Sequence, residues 1–273
     1  MRQTMEFRNS RKHRWTLLAV LSLLATSAFA DGSLDPSFGT GGKLRTHFGF
    51  DDFADSVAVQ ADGKLVVAGT AYTDSNFVAR FGLARYLSDG SLDPTFDGDG
   101  RVITPFAGVT YYTGHALARK VVVQDDGKIL AVGELADDAG LYIALARYLP
   151  DGSLDLTFGG DGKVVVDAGV WPEDMVLQPD GKIVVVGWYA IVRLLPDGTF
   201  DTTFGANGVV TTDLANNNRV ALQADGKIVT AGAVYDAATN QYRFALTRVA
   251  PNGAVDATFG VDGRVITHLG GTS

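Results

Sequence analysis

Asp151-Gly-Ser-Leu-Asp-Leu-Thr-Phe-Gly159 is one of five renderings of a single phrase. The others are Asp31-Gly-Ser-Leu-Asp-Pro-Ser-Phe-Gly39, Asp89-Gly-Ser-Leu-Asp-Pro-Thr-Phe96, Asp197-Gly-Thr-Phe-Asp-Thr-Thr-Phe-Gly205 and Asn252-Gly-Ala-Val-Asp-Ala-Thr-Phe-Gly260. Successive copies start 58, 62, 46 and 55 residues apart, which is the mark of a modular array. A second phrase recurs between them, as in Val57-Ala-Val-Gln-Ala-Asp-Gly-Lys-Leu-Val-Val-Ala-Gly69 and Val121-Val-Val-Gln-Asp-Asp-Gly-Lys-Ile-Leu-Ala-Val-Gly133, with further copies at 175–187 and 220–232. Two β-branched runs joined across Asp-Gly predict a hairpin, because the turn needs positive φ, where Gly carries no Cβ penalty. A third run, such as Leu145-Ala-Arg-Tyr148, leads into the next Asp-rich turn, and a fourth, such as Arg101-Val-Ile-Thr104, follows it. Each module is therefore four short strands.

Such units at this spacing predict an all-β protein, a β-propeller of four-stranded antiparallel blades that bury their faces against one another. The repeated Phe38, Phe96, Phe158, Phe204 and Phe259 are expected between blades, each worth about 1.5–3 kcal/mol when fully buried. Four complete modules stand beside five copies of the Asp-turn and its following strand, so the first and fifth copies compete for one slot. We expect four blades plus one surplus strand; five blades or an open ring are the alternatives, and an open ring would leave edges for a second chain to cover. The third module, shortened between Val186 and Ile191, should have a clipped hairpin.

Residues 1–30 read as a signal peptide and 31–273 as a single propeller domain. Five basic residues precede the apolar stretch Trp15 to Ala25, and Ala28-Phe-Ala30 offers small residues for cleavage near Ala30. The expected destination is extracellular or periplasmic, with no membrane span after processing. The chain has no cysteine, which excludes disulfides and lipid attachment through cysteine. Beyond residue 30 it holds 18 Lys and Arg against 30 Asp and Glu, a charge near −12 that opposes nucleic-acid binding. Most of these aspartates fall at recurring turn positions, so turn chemistry accounts for the acidity.

The phrases Leu145-Ala-Arg-Tyr-Leu-Pro-Asp-Gly-Ser-Leu-Asp155, Phe158-Gly-Gly-Asp-Gly-Lys163 and Leu177-Gln-Pro-Asp-Gly-Lys-Ile-Val184 resemble the bacterial delta-60 repeat, an uncharacterised β-propeller family. The resemblance covers essentially the whole of residues 31–273. It implies an exported bacterial propeller and supplies no catalytic residue, cofactor or substrate.

The residues themselves name no catalytic group. Only His47, His115 and His268 lie beyond residue 30, none in a nucleophile motif, and Glu134 or Glu173 could pair with any aspartate without a spacing that selects one. The chain is accordingly not expected to be an enzyme, and no cofactor is expected. No metal site is expected either. Asp97-Gly-Asp99-Gly100 reads as a turn rather than a calcium loop, and the aligned His47, Pro105, Asp167, Asp213 and His268 would gather a metal only if that position faced the central channel. Arg85, Arg147, Arg193 and Arg248 each precede an aspartate by eight residues, which predicts an ion pair clamping strand to turn. Variation between modules gathers in the loops that join equivalent strands, where Tyr72, Tyr142, Tyr235 and Tyr242 are the candidate ligand-binding residues; Tyr111 and Tyr112 lie on another connection. The expected function is a non-catalytic binding or adhesion module for extracellular protein or glycan. The alternatives are a glycan- or lactone-directed hydrolase or lyase near the channel, and an assembly module working as a monomer or edge-strand dimer.

Overall fold

The computed structural model describes residues 32–73, 78–107 and 114–267. The signal peptide expected at 1–30 lies outside these residues, as do Tyr111, Tyr112 and His268. Sixteen strands form four antiparallel sheets, each a simple meander, and no helix occurs among the described residues. The first blade holds β1 (Asp52–Val59), β2 (Leu65–Tyr72), β3 (Ala79–Tyr86) and β4 (Arg101–Thr104). The second holds β5 (His115–Val123), β6 (Ile129–Ala136), β7 (Leu141–Tyr148) and β8 (Lys163–Val166). The third holds β9 (Pro172–Leu177), β10 (Ile183–Gly187), β11 (Ala190–Leu194) and β12 (Val209–Thr211). The fourth holds β13 (Asn216–Leu222), β14 (Ile228–Asp236), β15 (Gln241–Val249) and β16 (Arg264–Thr267). The expected all-β blades are therefore present, and the third has the clipped hairpin, with only Trp188 and Tyr189 between β10 and β11.

The blades stack in chain order. Their first strands, β1, β5, β9 and β13, touch in succession and so line the inside of the curve. Three apolar clusters fill the spaces between neighbouring sheets, with Phe96, Phe158 and Phe204 fully buried in them. Each ring plugs the next blade at its Asp-Gly turn: a Cβ on Gly152 would stand 2.9 Å from both the Asp97 nitrogen and the Phe96 ring, so only Gly, here at φ +93°, fits. The ends of the stack do not share this burial. Val57 and Val59 on the first blade are 60% and 68% exposed, and Phe244 on the fourth is 50% exposed, so the four blades form an open arc. The surplus copy, residues 32–48, lies against the first blade without joining its sheet.

The arginine ladder is the expected clamp. Nε donates to Asp Oδ2 at 2.8–2.9 Å in all four blades: Arg85 to Asp93, Arg147 to Asp155, Arg193 to Asp201 and Arg248 to Asp256. Each guanidinium also lies over the repeated Phe, 4.3–4.7 Å from the ring centroid, adding a cation–π contact. The lysine of each Asp-Gly-Lys turn reaches the same carboxylate, as Lys64 does to Asp93 at 3.0 Å. One motif is thereby wired to another within each blade.

Candidate functional site

The β2–β3 connections and their equivalents all leave one end of the arc, and aromatic side chains gather there in pairs. On the first blade Phe53 meets Tyr72 edge to face, with centroids 6.3 Å apart. On the third, Trp171 and Trp188 lie 6.1 Å apart and are 40% and 43% exposed. On the fourth, Tyr235 and Tyr242 lie 5.5 Å apart, are 50% and 63% exposed, and the Tyr235 hydroxyl donates to Asn240. Large rings at this exposure lose less of their apolar surface to folding than core rings and keep it for a ligand.

The third blade carries this furthest. Trp188 and Tyr189 form the two-residue turn, and Tyr189 sits at φ 60°, a left-handed backbone conformation that costs an L-residue with a bulky side chain about 1–2 kcal/mol. Asn or Gly would serve that turn without the cost. The Tyr189 ring is nonetheless half exposed, so core packing does not offset the strain. A backbone bond from Tyr189 N–H to the Leu214 carbonyl (3.2 Å), and another from Thr212 N–H to the Tyr189 carbonyl (2.7 Å), hold the turn in place.

A polar cluster lies between the first two blades. β1 and β5 each bulge by one residue, Asp55 and Arg119, against Gly69 and Gly133 of their partners. A Cβ on Gly133 would stand 1.9 Å from the Leu117 carbonyl oxygen, which explains the glycine that ends the second repeated phrase. Arg119 reaches Glu134 Oε1 through Nη2 (3.1 Å) and Asp55 Oδ1 through Nη1 (3.6 Å). His115 Nε2 stands 3.3 Å from the same Glu134 oxygen, close enough for an ionic contact but not aligned as a hydrogen bond. Glu134 is buried. Burial lifts the Asp55 carboxyl above its ordinary range; Arg119 opposes that lift and Glu134 adds to it. Two carboxyls bridged by an arginine offer a polar ligand both acceptors and a cationic donor.

Of the four tyrosines expected to bind ligand, Tyr235 and Tyr242 are exposed on the rim. Tyr72 is half-buried, and Tyr142 packs against the core between the first two blades. Phe53, Trp171, Trp188 and Tyr189 were not among the expected residues. The signal for Trp188 and Tyr189 was the shortened third hairpin, whose two remaining residues are both aromatic. Among the described residues no group of three or more acidic or histidine ligands surrounds a metal-sized space. His47 pairs instead with Asp52 at the start of β1 (2.8 Å), while Asp213 pairs with Arg264 of β16 and the Pro105 carbonyl accepts from Lys163 of β8, so the aligned positions do not converge. No described helix is long and apolar enough to cross a membrane.

The family model of a β-propeller domain of unknown function, DUF5122, matches residues 60–96, 124–158, 178–204 and 223–259. No curated protein matches the chain. Among solved structures, a protein of unknown function from Bacteroides caccae superimposes with a TM-score of 0.45 at 13% identity, over 78% of this chain and 70% of that one. A putative gluconolactonase gives 0.44 at 17% identity over 78% of this chain and 63% of its own length. A putative glycoside hydrolase from Parabacteroides distasonis gives 0.43 at 14% identity over 79% and 72%. The expectation that the chain is not an enzyme is contradicted by the names of these similar structures, a putative gluconolactonase and a putative glycoside hydrolase. At such identity the likeness is one of fold. The chain is built of four copies of an uncharacterised β-propeller repeat.

Proposed function

We propose that this chain is an exported propeller of the delta-60 kind that recognises glycan through the aromatic rim of its third and fourth blades. The observation that carries this is the Trp171, Trp188 and Tyr189 group, exposed on a turn held in a strained backbone conformation. Flat rings offer a sugar's C–H faces a large contact area at small entropic cost, and neighbouring amides such as Asn240 supply directional hydrogen bonds. Residues that break the local turn rule without a packing benefit fit a site of use better than a site of stability. The test is binding of the full chain to a panel of immobilised glycans. Trp188→Ala should abolish a signal that Tyr111→Ala, on another connection, leaves intact. Equal binding by Trp188→Ala and the parent would refute the rim as the site.

A hydrolytic reading is favoured by the Asp55, Arg119 and Glu134 cluster, where Arg119 stands 3.6 Å from one carboxyl and 3.1 Å from the other. Two neighbouring carboxyls are the residue types that acid–base cleavage of a glycosidic bond uses. Release of reducing sugar by the parent chain, lost in both Asp55→Asn and Glu134→Gln, would support it; equal release by the variants would remove it.

A further inference from the structure

Contacts recur across the three interfaces between blades. The plugging Phe turn donates a backbone N–H to the next blade: Asp97 to the Asp151 carbonyl at 2.7 Å and Gly205 to the Asn252 carbonyl at 2.9 Å. Arginine Nη1 crosses to a proline carbonyl of the next blade: Arg85 to Pro150, Arg147 to Pro196 and Arg193 to Pro251. Thr104, at the end of β4, shares a hydrogen bond with Tyr148 of the second blade.

Residues 32–48 make part of this set of contacts to the first blade. Gly39 N–H donates to the Asp89 carbonyl at 2.8 Å, the Tyr86 hydroxyl donates to Thr46 at 2.7 Å, and Arg101 Nη1 donates to the His47 carbonyl at 2.8 Å, as Lys163 Nζ does to Pro105 between the first and second blades. The segment thus holds the place of a preceding blade's last strand. It does not fill the place of a whole sheet. A groove of about 790 Å³ remains between it and the first blade, lined by Leu44, Phe48, Val57 and Val67 among others.

At the far end the fourth blade presents the opposite half of the interface. Val229 and Leu246 are half-exposed and Phe244 is 50% exposed, whereas their counterparts Val66, Leu83 and Phe81 are fully buried. Phe259 is half-buried, unlike Phe96, Phe158 and Phe204. Arg248 Nη1 turns back to Gln223 at 3.4 Å instead of crossing to a proline carbonyl.

We infer that two copies of this chain associate head to tail, the fourth blade of one stacking on the first blade of the other, with residues 32–48 acting as a displaceable plug. Phe259 and Thr267 of the incoming copy take the places of Phe38 and Thr46, which their repeats match residue for residue. Val229, Phe244 and Leu246 then enter the groove, and Arg248 gains the Ser88 carbonyl, which occupies the position of Pro150. The interface is heterologous, so the two copies close on each other or extend further.

The experiment is sedimentation of the full chain over a concentration series, comparing the parent with Phe38→Ser and with Phe38→Ser/Phe259→Ser. Loosening the plug with Phe38→Ser should produce whole-number multiples of the subunit mass at lower concentration than the parent. Adding Phe259→Ser should weaken that association by about tenfold or more, because it removes the centre of the interface. Should Phe38→Ser fail to fold by circular dichroism, Thr46→Val loosens the plug while keeping its shape. A folded plug variant that stays at subunit mass throughout would overturn the inference. So would association that neither Phe259→Ser nor Arg248→Ala weakens.

Discussion

Arg147 of the second blade donates from Nη1 to the Pro196 carbonyl of the third at 2.8 Å, while its Nε holds Asp155 of its own blade at 2.8 Å. One side chain therefore joins strand, turn and neighbouring blade, and stacks on Phe158 as well. A planar guanidinium can do this because its five donors point in fixed, divergent directions.

Arg147→Ala would leave Asp155 buried beside Lys128 alone and the Pro196 carbonyl without its donor. We expect a loss of about 3 kcal/mol, seen as a clear fall in Tm. Arg248→Ala should cost distinctly less, since Arg248 bonds no following blade. Equal losses in thermal melts would contradict the bridging role.

The clamped aspartates set the acid limit of the fold. Burial would raise Asp201, but hydrogen bonds from Thr203, the charge of Arg193 and that of Lys182 outweigh it and hold the carboxyl at about 2. Asp93 and Asp155 are held down in the same way, with Thr95 and Thr157 as their donors. A carboxyl whose folded pKa is depressed stabilises the fold above its unfolded value and loses that contribution as pH falls through the folded value. Stability measured by denaturant titration should therefore be flat above about pH 5 and decline between about pH 4 and 2. A chain equally stable at pH 7 and pH 2 would exclude the clamps as contributors.

Gly152→Ala places a methyl group 2.9 Å from Phe96 and the Asp97 nitrogen, at a backbone angle that also disfavours alanine. About 2–3 kcal/mol of destabilisation is expected. Gly160→Ala, at a similar positive φ but with nothing within 4 Å, should cost less. Matching melts for the two variants would show that the Phe plug is not tightly packed.

Tyr189→Gly removes the left-handed strain and the exposed ring together. The variant should be as stable as the parent or up to about 1 kcal/mol more so, yet weaker in glycan binding. Reduced stability with binding intact would reverse the assignment, making Tyr189 a structural residue.

Much of the architecture was legible in the chain because it depends on local chemistry repeated several times. Asp-Gly marks each hairpin through the backbone freedom of glycine, and the eight-residue offset from Arg147 to Asp155 marks each clamp, because strand and turn geometry fix that distance. The rim was only half legible. Tyr235 and Tyr242 could be named from loop variation, whereas Trp171 and Trp188 meet only because β9 and β10 pair at their ends. The Asp55, Arg119 and Glu134 cluster was illegible, since it needs two bulges on different blades to place their extra residues face to face.

By itself, the sequence determined the unit: four short strands, the turns between them, the buried phenylalanine and the ion pair that ties it to its blade. Each depends on residues close together in the chain, where backbone preference and side-chain reach leave few choices. Only the tertiary structure decided that the four units curve into an open arc, that residues 32–48 stand in for a neighbour on the first blade, and that Phe244 faces outward while Phe81 is buried. Those outcomes follow from how twisted sheets stack over many residues, and near-identical repeats cannot signal which of them will lie at an end.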